Sequence, residues 1–84
     1  MLSKEEVFLK TRETLIEMFG FEQQHVTESA LLVDDLGIDS IDAINISVKL
    51  ESVFGKKVDF RNFGDIRTVQ DIVESVCRSL QSNQ

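Results

Sequence analysis

Proline is absent from this 84-residue chain and glycine occurs only four times, so little in it interrupts a helix. Cysteine occurs once, at Cys77. A lone thiol excludes an internal disulfide, and with no Cys or His at ligand spacing beside it a zinc site is excluded as well. Such usage suits a reducing interior, and a cytoplasmic location is the expectation. No apolar run approaches the ~20 residues that cross a bilayer. The opening "MLSKEEVFLK" carries no signal-peptide pattern, so membrane insertion is not expected either. The most informative gap is in positive charge. Between Glu13 and Val48 there is no Lys or Arg, while the same stretch holds Glu13, Glu17, Glu22, Glu28, Asp34, Asp35, Asp39 and Asp42. The basic residues collect at the two ends, and the formal net charge is -6. An acidic centre repels nucleic-acid phosphates and anionic lipid and draws basic protein surfaces inward. Nucleic acid is not an expected partner.

What is present is helical patterning. At 84 residues and 42% hydrophobic content the chain forms one domain with a modest core. Ser3 with Glu6 has the spacing of a capping box, and Val7, Phe8, Thr11, Leu15, Met18 and Phe19 follow on one face until Gly20 stops the helix. The next stretch, "FEQQHVTESALLVDDLGID", has no sustained period. It reads as a long loop pinned to the core by Val26, Leu31, Leu32, Val33, Leu36 and Ile38.

A second helix starts at Asp39 or Ser40 and runs to Phe54, with Gly55 as its stop. Ala43, Ile46, Leu50, Val53 and Phe54 form one apolar face, and Ile41, Ile44 and Val48 form another on the opposite side. A helix apolar on two sides in so small a domain buries one and offers the other to a partner. Phe60, Phe63 and Ile66 suggest a short helix of one or two turns. Thr68 with Asp71 then caps a last amphipathic helix carrying Val69, Ile72, Val73, Val76, Cys77 and Leu80, after which "QSNQ" frays from about residue 80. The expected fold is all-α: a small antiparallel four-helix bundle of three main helices and one short one, spanning residues 1–84 as a single domain.

One hydroxyl, Ser40, stands among Asp34, Asp35, Asp39 and Asp42. Nucleophilic catalysis needs a base and an orienting third group, and the single histidine, His25, lies in the first loop. "GIDSI" is not the Gly-x-Ser-x-Gly elbow of the α/β-hydrolases. A calcium loop fails too: counted from Asp34, the glycine falls at the fourth position rather than the sixth and Asn45 occupies the twelfth. Two readings remain. Asp39 caps a helix and Ser40 merely fills its first turn, or Ser40 is a point of covalent attachment and the aspartates are a docking signal for a basic enzyme.

The segment "VTESALLVDDLGIDSIDAINISVKLESVF" resembles the centre of the acyl carrier proteins, and the similarity extends over nearly the whole chain, including the "TVQDIVESV" of the last helix. In that family an acidic Leu-Gly-x-Asp-Ser-Leu-type turn opens the second helix. The resemblance implies a non-catalytic carrier with 4'-phosphopantetheine held covalently on Ser40, placed there from coenzyme A by a phosphopantetheinyl transferase. Its thiol then carries acyl groups as thioesters among acyltransferases, synthases and other acyl-processing enzymes with basic docking patches, in fatty-acid or related biosynthesis. Partner recognition is assigned to Asp35, Asp39, Ile41, Asp42, Asn45, Val48 and Glu51. Ile44, Ile46, Leu50, Phe54, Phe63 and Ile66 are candidates to line a space for the acyl chain, and a monomer is expected. The sequence departs from the family at Asn45, Lys49 and Ser52, where acids are common, and at Asp59–Asn62, where many members have a proline and an acidic run. These departures leave Ser40 untouched and bear on partner choice. A carrier of aminoacyl, polyketide or other specialised cargo is therefore the first alternative, and an unmodified helical interaction module the second.

Overall fold

Ser3 and Glu6 make the reciprocal cap their spacing predicts. The Ser3 hydroxyl accepts from the Glu6 amide at 3.1 Å and the Glu6 carboxylate accepts from the Ser3 amide at 2.9 Å. The Ser3 amide first, and the Ser3 hydroxyl with it, hold the Glu6 carboxyl below the usual glutamate range. From this cap α1 runs over Lys4–Phe19, α2 over Ser40–Phe54 and α3 over Val69–Gln81, in a computed structural model that describes residues 2–58, 60 and 63–81. Two helices stop where a glycine amide turns back, Gly20 donating to the Ile16 carbonyl and Gly55 to that of Glu51, each at 2.8 Å. Asp59, Arg61 and Asn62 of the expected short helix, and Ser82–Gln84 of the expected frayed tail, lie outside the described residues. The described part of that short helix is a single 3-10 turn at Phe63–Asp65, and a second such turn stands at Gln23–His25.

The bundle is organised by α1, which packs along α3 and, over a shorter stretch, against α2. Val7 and Leu15 of α1, Ile46 and Leu50 of α2, and Ile72, Val73 and Val76 of α3 are fully enclosed. Each such side chain contributes about 1.5–3 kcal/mol by leaving water. The helices do not close this core alone. Val26, Ala30, Leu32, Leu36 and Ile38 from the long loop, with Val58 after α2, are buried beside them. Thr11 is buried with these residues, and its hydroxyl has no hydrogen-bond partner among the described residues.

The loop is held by backbone pairing with the entrance to α3. Leu32 N donates to Arg67 O at 2.8 Å, Val69 N to Ala30 O at 3.1 Å and Gln70 N to Glu28 O at 2.9 Å, around an isolated bridge between Leu31 and Thr68. Extended backbone alternates its side chains between two faces. Ala30 and Leu32 therefore point inward, while Leu31 and Val33, expected as anchors, are 39% and 59% exposed. On α2, Val53 likewise lies further out than its place on the inner face suggests, at 39% exposure.

The cap of α3 closes the same junction. The Asp71 carboxylate accepts from the amides of Arg67 and Thr68 at 2.9 and 3.0 Å, and the Thr68 hydroxyl accepts from the Asp71 amide at 3.2 Å. One acidic side chain thus fixes both the start of a helix and the strand-like segment to which the loop is tied.

Candidate functional site

The stretch "DDLGID" is positioned by what lies on either side of it. Leu36 and Ile38 are buried, Ile38 N donates to Leu32 O at 2.7 Å and Gly37 N to Val33 O at 3.0 Å. Between those anchors Gly37 adopts φ +66, a left-handed conformation that a side chain disfavours even though nothing lies within 4 Å of where a Cβ would stand. Asp35 folds back, its carboxylate accepting from the Leu31 amide at 2.8 Å. The chain then extends through Asp39 into α2.

Asp39 and Asp42 form the cap between them. Asp42 N donates to Asp39 Oδ1 at 2.8 Å and Asp39 N to Asp42 Oδ2 at 3.2 Å. The cap is complete without Ser40, whose side chain is exposed in the first turn of the helix. The Ser40 and Ile41 amides, one turn short of an intrahelical acceptor, stay oriented beside that hydroxyl, at the positive end of the helix dipole. Lys4 and Lys49 are paired elsewhere, with Glu74 and Glu17 respectively. His25, on the turn after α1, is not among the residues around Ser40 in the groove described below.

Beyond Ser40, α2 presents Ile41, Ile44 and Val48 to solvent at 68%, 63% and 63% exposure, with Asn45 and Glu51 exposed alongside and Asp42 half-buried. Ser40, Ile44, Ser47, Val48 and Glu51 form one wall of a groove of about 440 Å³, and Lys57, Val58, Phe60 and Phe63 form the other. A second groove of about 400 Å³ runs between Leu31, Val33 and Asp34 on one side and Phe63, Ile66 and Arg67 on the other. Of the residues expected around an acyl chain, Ile44 and Phe63 thus line the groove at Ser40, and Ile66 lines its neighbour. Ile46 and Leu50 are sealed in the core, and Phe54 is half-buried against it. Ser47, Lys57, Val58 and Phe60 were not singled out from sequence. Ser47 had a signal, because Ser40, Ile44, Ser47, Val48 and Glu51 follow helical spacing from the hydroxyl, whereas Lys57, Val58 and Phe60 reach the groove only through the fold.

Among the described residues no helix is long and apolar enough to cross a membrane, and no cluster of three or more His, Cys, Asp or Glu side chains is placed to hold a metal ion. The site is thus an exposed hydroxyl that opens a helix capped by others, at the rim of a groove with Ile44, Val48, Phe60 and Phe63 in its walls. Residues 10–76 match the family described as the phosphopantetheine attachment site. Over 80 residues, 95% of this chain and 99% of the relative, the sequence is 42% identical to an acyl carrier protein of Thermotoga maritima. It is 31% identical to acyl carrier protein 2 of Ralstonia nicotianae, over 89% of this chain and 93% of that one. It is 32% identical to the meromycolate extension acyl carrier protein of Mycolicibacterium aurum, over 96% and 84%. The chain belongs to the acyl carrier protein family, whose prosthetic group is 4'-phosphopantetheine and whose members are carriers rather than catalysts.

Proposed function

We propose that Ser40 is the residue that bears 4'-phosphopantetheine, and that the chain presents acyl groups on it to enzymes of fatty-acid or related biosynthesis in the cytoplasm. The observation that carries this reading is the division of labour in the first turn of α2, where Asp39 and Asp42 make the cap and leave the Ser40 hydroxyl exposed. A phosphodiester on that oxygen sits beside the Ser40 and Ile41 amides and the positive end of the helix. The arm supplies a thiol, a fair nucleophile and a good leaving group, for thioester exchange.

The protein's own residues provide address and orientation. Asp35, Asp39 and Asp42 attract a basic surface toward Ser40, and Ile41 and Val48 give that surface an apolar ridge to seat on. Asn45 and Glu51 flank the ridge and tune which partner fits. The partners are a phosphopantetheinyl transferase and acyl-processing enzymes with basic patches.

Lys49 keeps a specialised carrier as the second reading: it sets a basic group, paired with Glu17 of α1 at 3.4 Å, on the exposed side of α2 where the family commonly has acid. The relative from Mycolicibacterium aurum is named for meromycolate extension, a precedent for a carrier named by its use. The test is the intact mass of the protein before and after incubation with coenzyme A, magnesium and a broad-specificity phosphopantetheinyl transferase, with Ser40→Ala alongside. A gain of one phosphopantetheine in the unmutated chain alone is expected. A gain in Ser40→Ala, or none in either from unmodified starting material, overturns the assignment.

A further inference from the structure

We infer that the outer face of α2 presents charge of two signs, and that it fits a protein partner whose docking surface is basic opposite Asp35, Asp39 and Asp42 and acidic opposite Lys49 and Lys57. The inference rests on attachment at Ser40 and adds to it the charge that a partner must show at the far end of the helix.

From Asp34 to Val48 every charged side chain is acidic, four in all, whereas from Lys49 to Val58 three of the four are lysines. The change of sign falls along one side of one helix. Asp42 and Lys49 are two turns apart on α2, about 10 Å along its axis. That exceeds the ~8 Å over which charge is screened at physiological ionic strength, so a docking surface meets each end separately and not their average. Between the ends, the exposed Ile41, Ile44 and Val48 give the partner its apolar contact. Lys57, past the stop at Gly55, is exposed and extends the basic end.

The internal uses of Lys49 do not account for it. Its pair with Glu17 spans 3.4 Å, but the two side chains are 44% and 69% exposed, and such a pair contributes little to stability. Nor does Lys49 complement the helix dipole, because it stands ahead of the last turn of α2, which has no basic residue. The pair instead sets how much positive charge the far end shows, since Glu17 offsets part of it. A uniformly basic patch drawn to Ser40 is repelled at that end, and an acidic group there completes the match.

The experiment measures kcat/KM of a broad-specificity phosphopantetheinyl transferase for the wild-type chain, Lys49→Glu and Glu17→Gln, each shown to be folded by its unfolding midpoint. The transferase is used unaltered and with the lysines that an amine cross-linker joins to Lys49 replaced by Glu. With the unaltered transferase, Lys49→Glu raises kcat/KM severalfold and Glu17→Gln lowers it, the change residing in KM. With the Glu-bearing transferase both effects reverse in direction. All of them collapse at about 1 M salt, where the screening length is ~3 Å. A pair that only joins α2 to α1 predicts the same direction for both substitutions, since each breaks it. Effects in the same direction, effects that do not reverse, or a Lys49 that cross-links to no transferase lysine overturn the two-signed docking surface while leaving attachment intact. Absence of any mass gain with the unaltered transferase overturns the attachment and this inference with it.

Discussion

Asp71 is the side chain whose removal reaches furthest through this fold for the fewest atoms lost. Its carboxylate accepts two backbone amides, those of Arg67 and Thr68, within 3.0 Å. Substitution by Ala removes a helix cap, at a cost of about 1 kcal/mol. It also removes charge-assisted bonds that are individually stronger than neutral ones, although water reaches the vacated amides and limits the loss. The expected total is about 2 kcal/mol, a large share of the ~4–12 kcal/mol typical for a chain of this length. With a urea dependence of ~1 kcal/mol/M for so small a domain, the urea midpoint falls by about 2 M. Asp71→Asn keeps an acceptor and loses the charge, so it falls about half as far.

The pH dependence separates charge from packing. Partial burial raises the Asp71 carboxyl pKa, but the Arg67 and Thr68 amides, the Thr68 hydroxyl and the Arg67 charge outweigh it and bring the net value below the ordinary 3.8. A depressed native pKa adds stability that is fully present above 3.8 and disappears as pH falls through the lower native value. The gap between wild type and Asp71→Asn should therefore be constant near neutrality and shrink in acid below pH 3.8. Circular dichroism during urea titration across that range measures it. A gap that stays constant into strong acid, or an Asp71→Ala midpoint within error of wild type, refutes the reasoning.

Thr11→Val should stabilise the protein by about 1 kcal/mol, since it replaces a buried hydroxyl without a partner by a methyl group of similar shape; an unchanged or lower urea midpoint would show that the hydroxyl is satisfied. Ile41 and Ile46 lie on opposite sides of α2, 68% and 0% exposed. Ile46→Ala should cost about 2–4 kcal/mol in the same titration. Ile41→Ala should stay within about 0.5 kcal/mol of wild type and instead raise the KM of a phosphopantetheinyl transferase. Equal stability losses at the two positions would contradict the assigned faces.

The helix limits were legible because their determinants are local. Ser3 with Glu6 and Thr68 with Asp71 close over three residues, and Asp39 with Asp42 does the same. An isolated turn of sequence therefore contains the whole argument, whereas helical angle set Ile41, Ile44 and Val48 on one face of α2 and only the small size of the domain indicated that Ile41 and Val48 stay outside. The loop was legible only in part. Val26, Leu32, Leu36 and Ile38 are buried as their apolar character suggests, but Leu31 and Val33 are equally apolar and face outward. Nothing nearby in sequence distinguishes Leu32 from its neighbours; Arg67, whose carbonyl takes the Leu32 amide, does so from the far end of the chain. The groove at Ser40 has the same character. Its α2 wall repeats at helical spacing, and Lys57, Val58, Phe60 and Phe63 of its other wall meet that helix only through the fold.

The clasp between residues 28–32 and 67–70 also divides the chain into regions of different tolerance to changes in length. Between Leu32 and Ser40 the backbone is fixed at both ends, by the Arg67 carbonyl and by the first turn of α2, so one inserted residue displaces the hydroxyl from its anchors. Within the exposed turn Gln23–His25 an added residue lengthens a surface turn upstream of the clasp and leaves Ser40 where it was. A change in length is thus absorbed ahead of the clasp and not beside Ser40, so the surface that a modifying enzyme is proposed to meet is held at both ends.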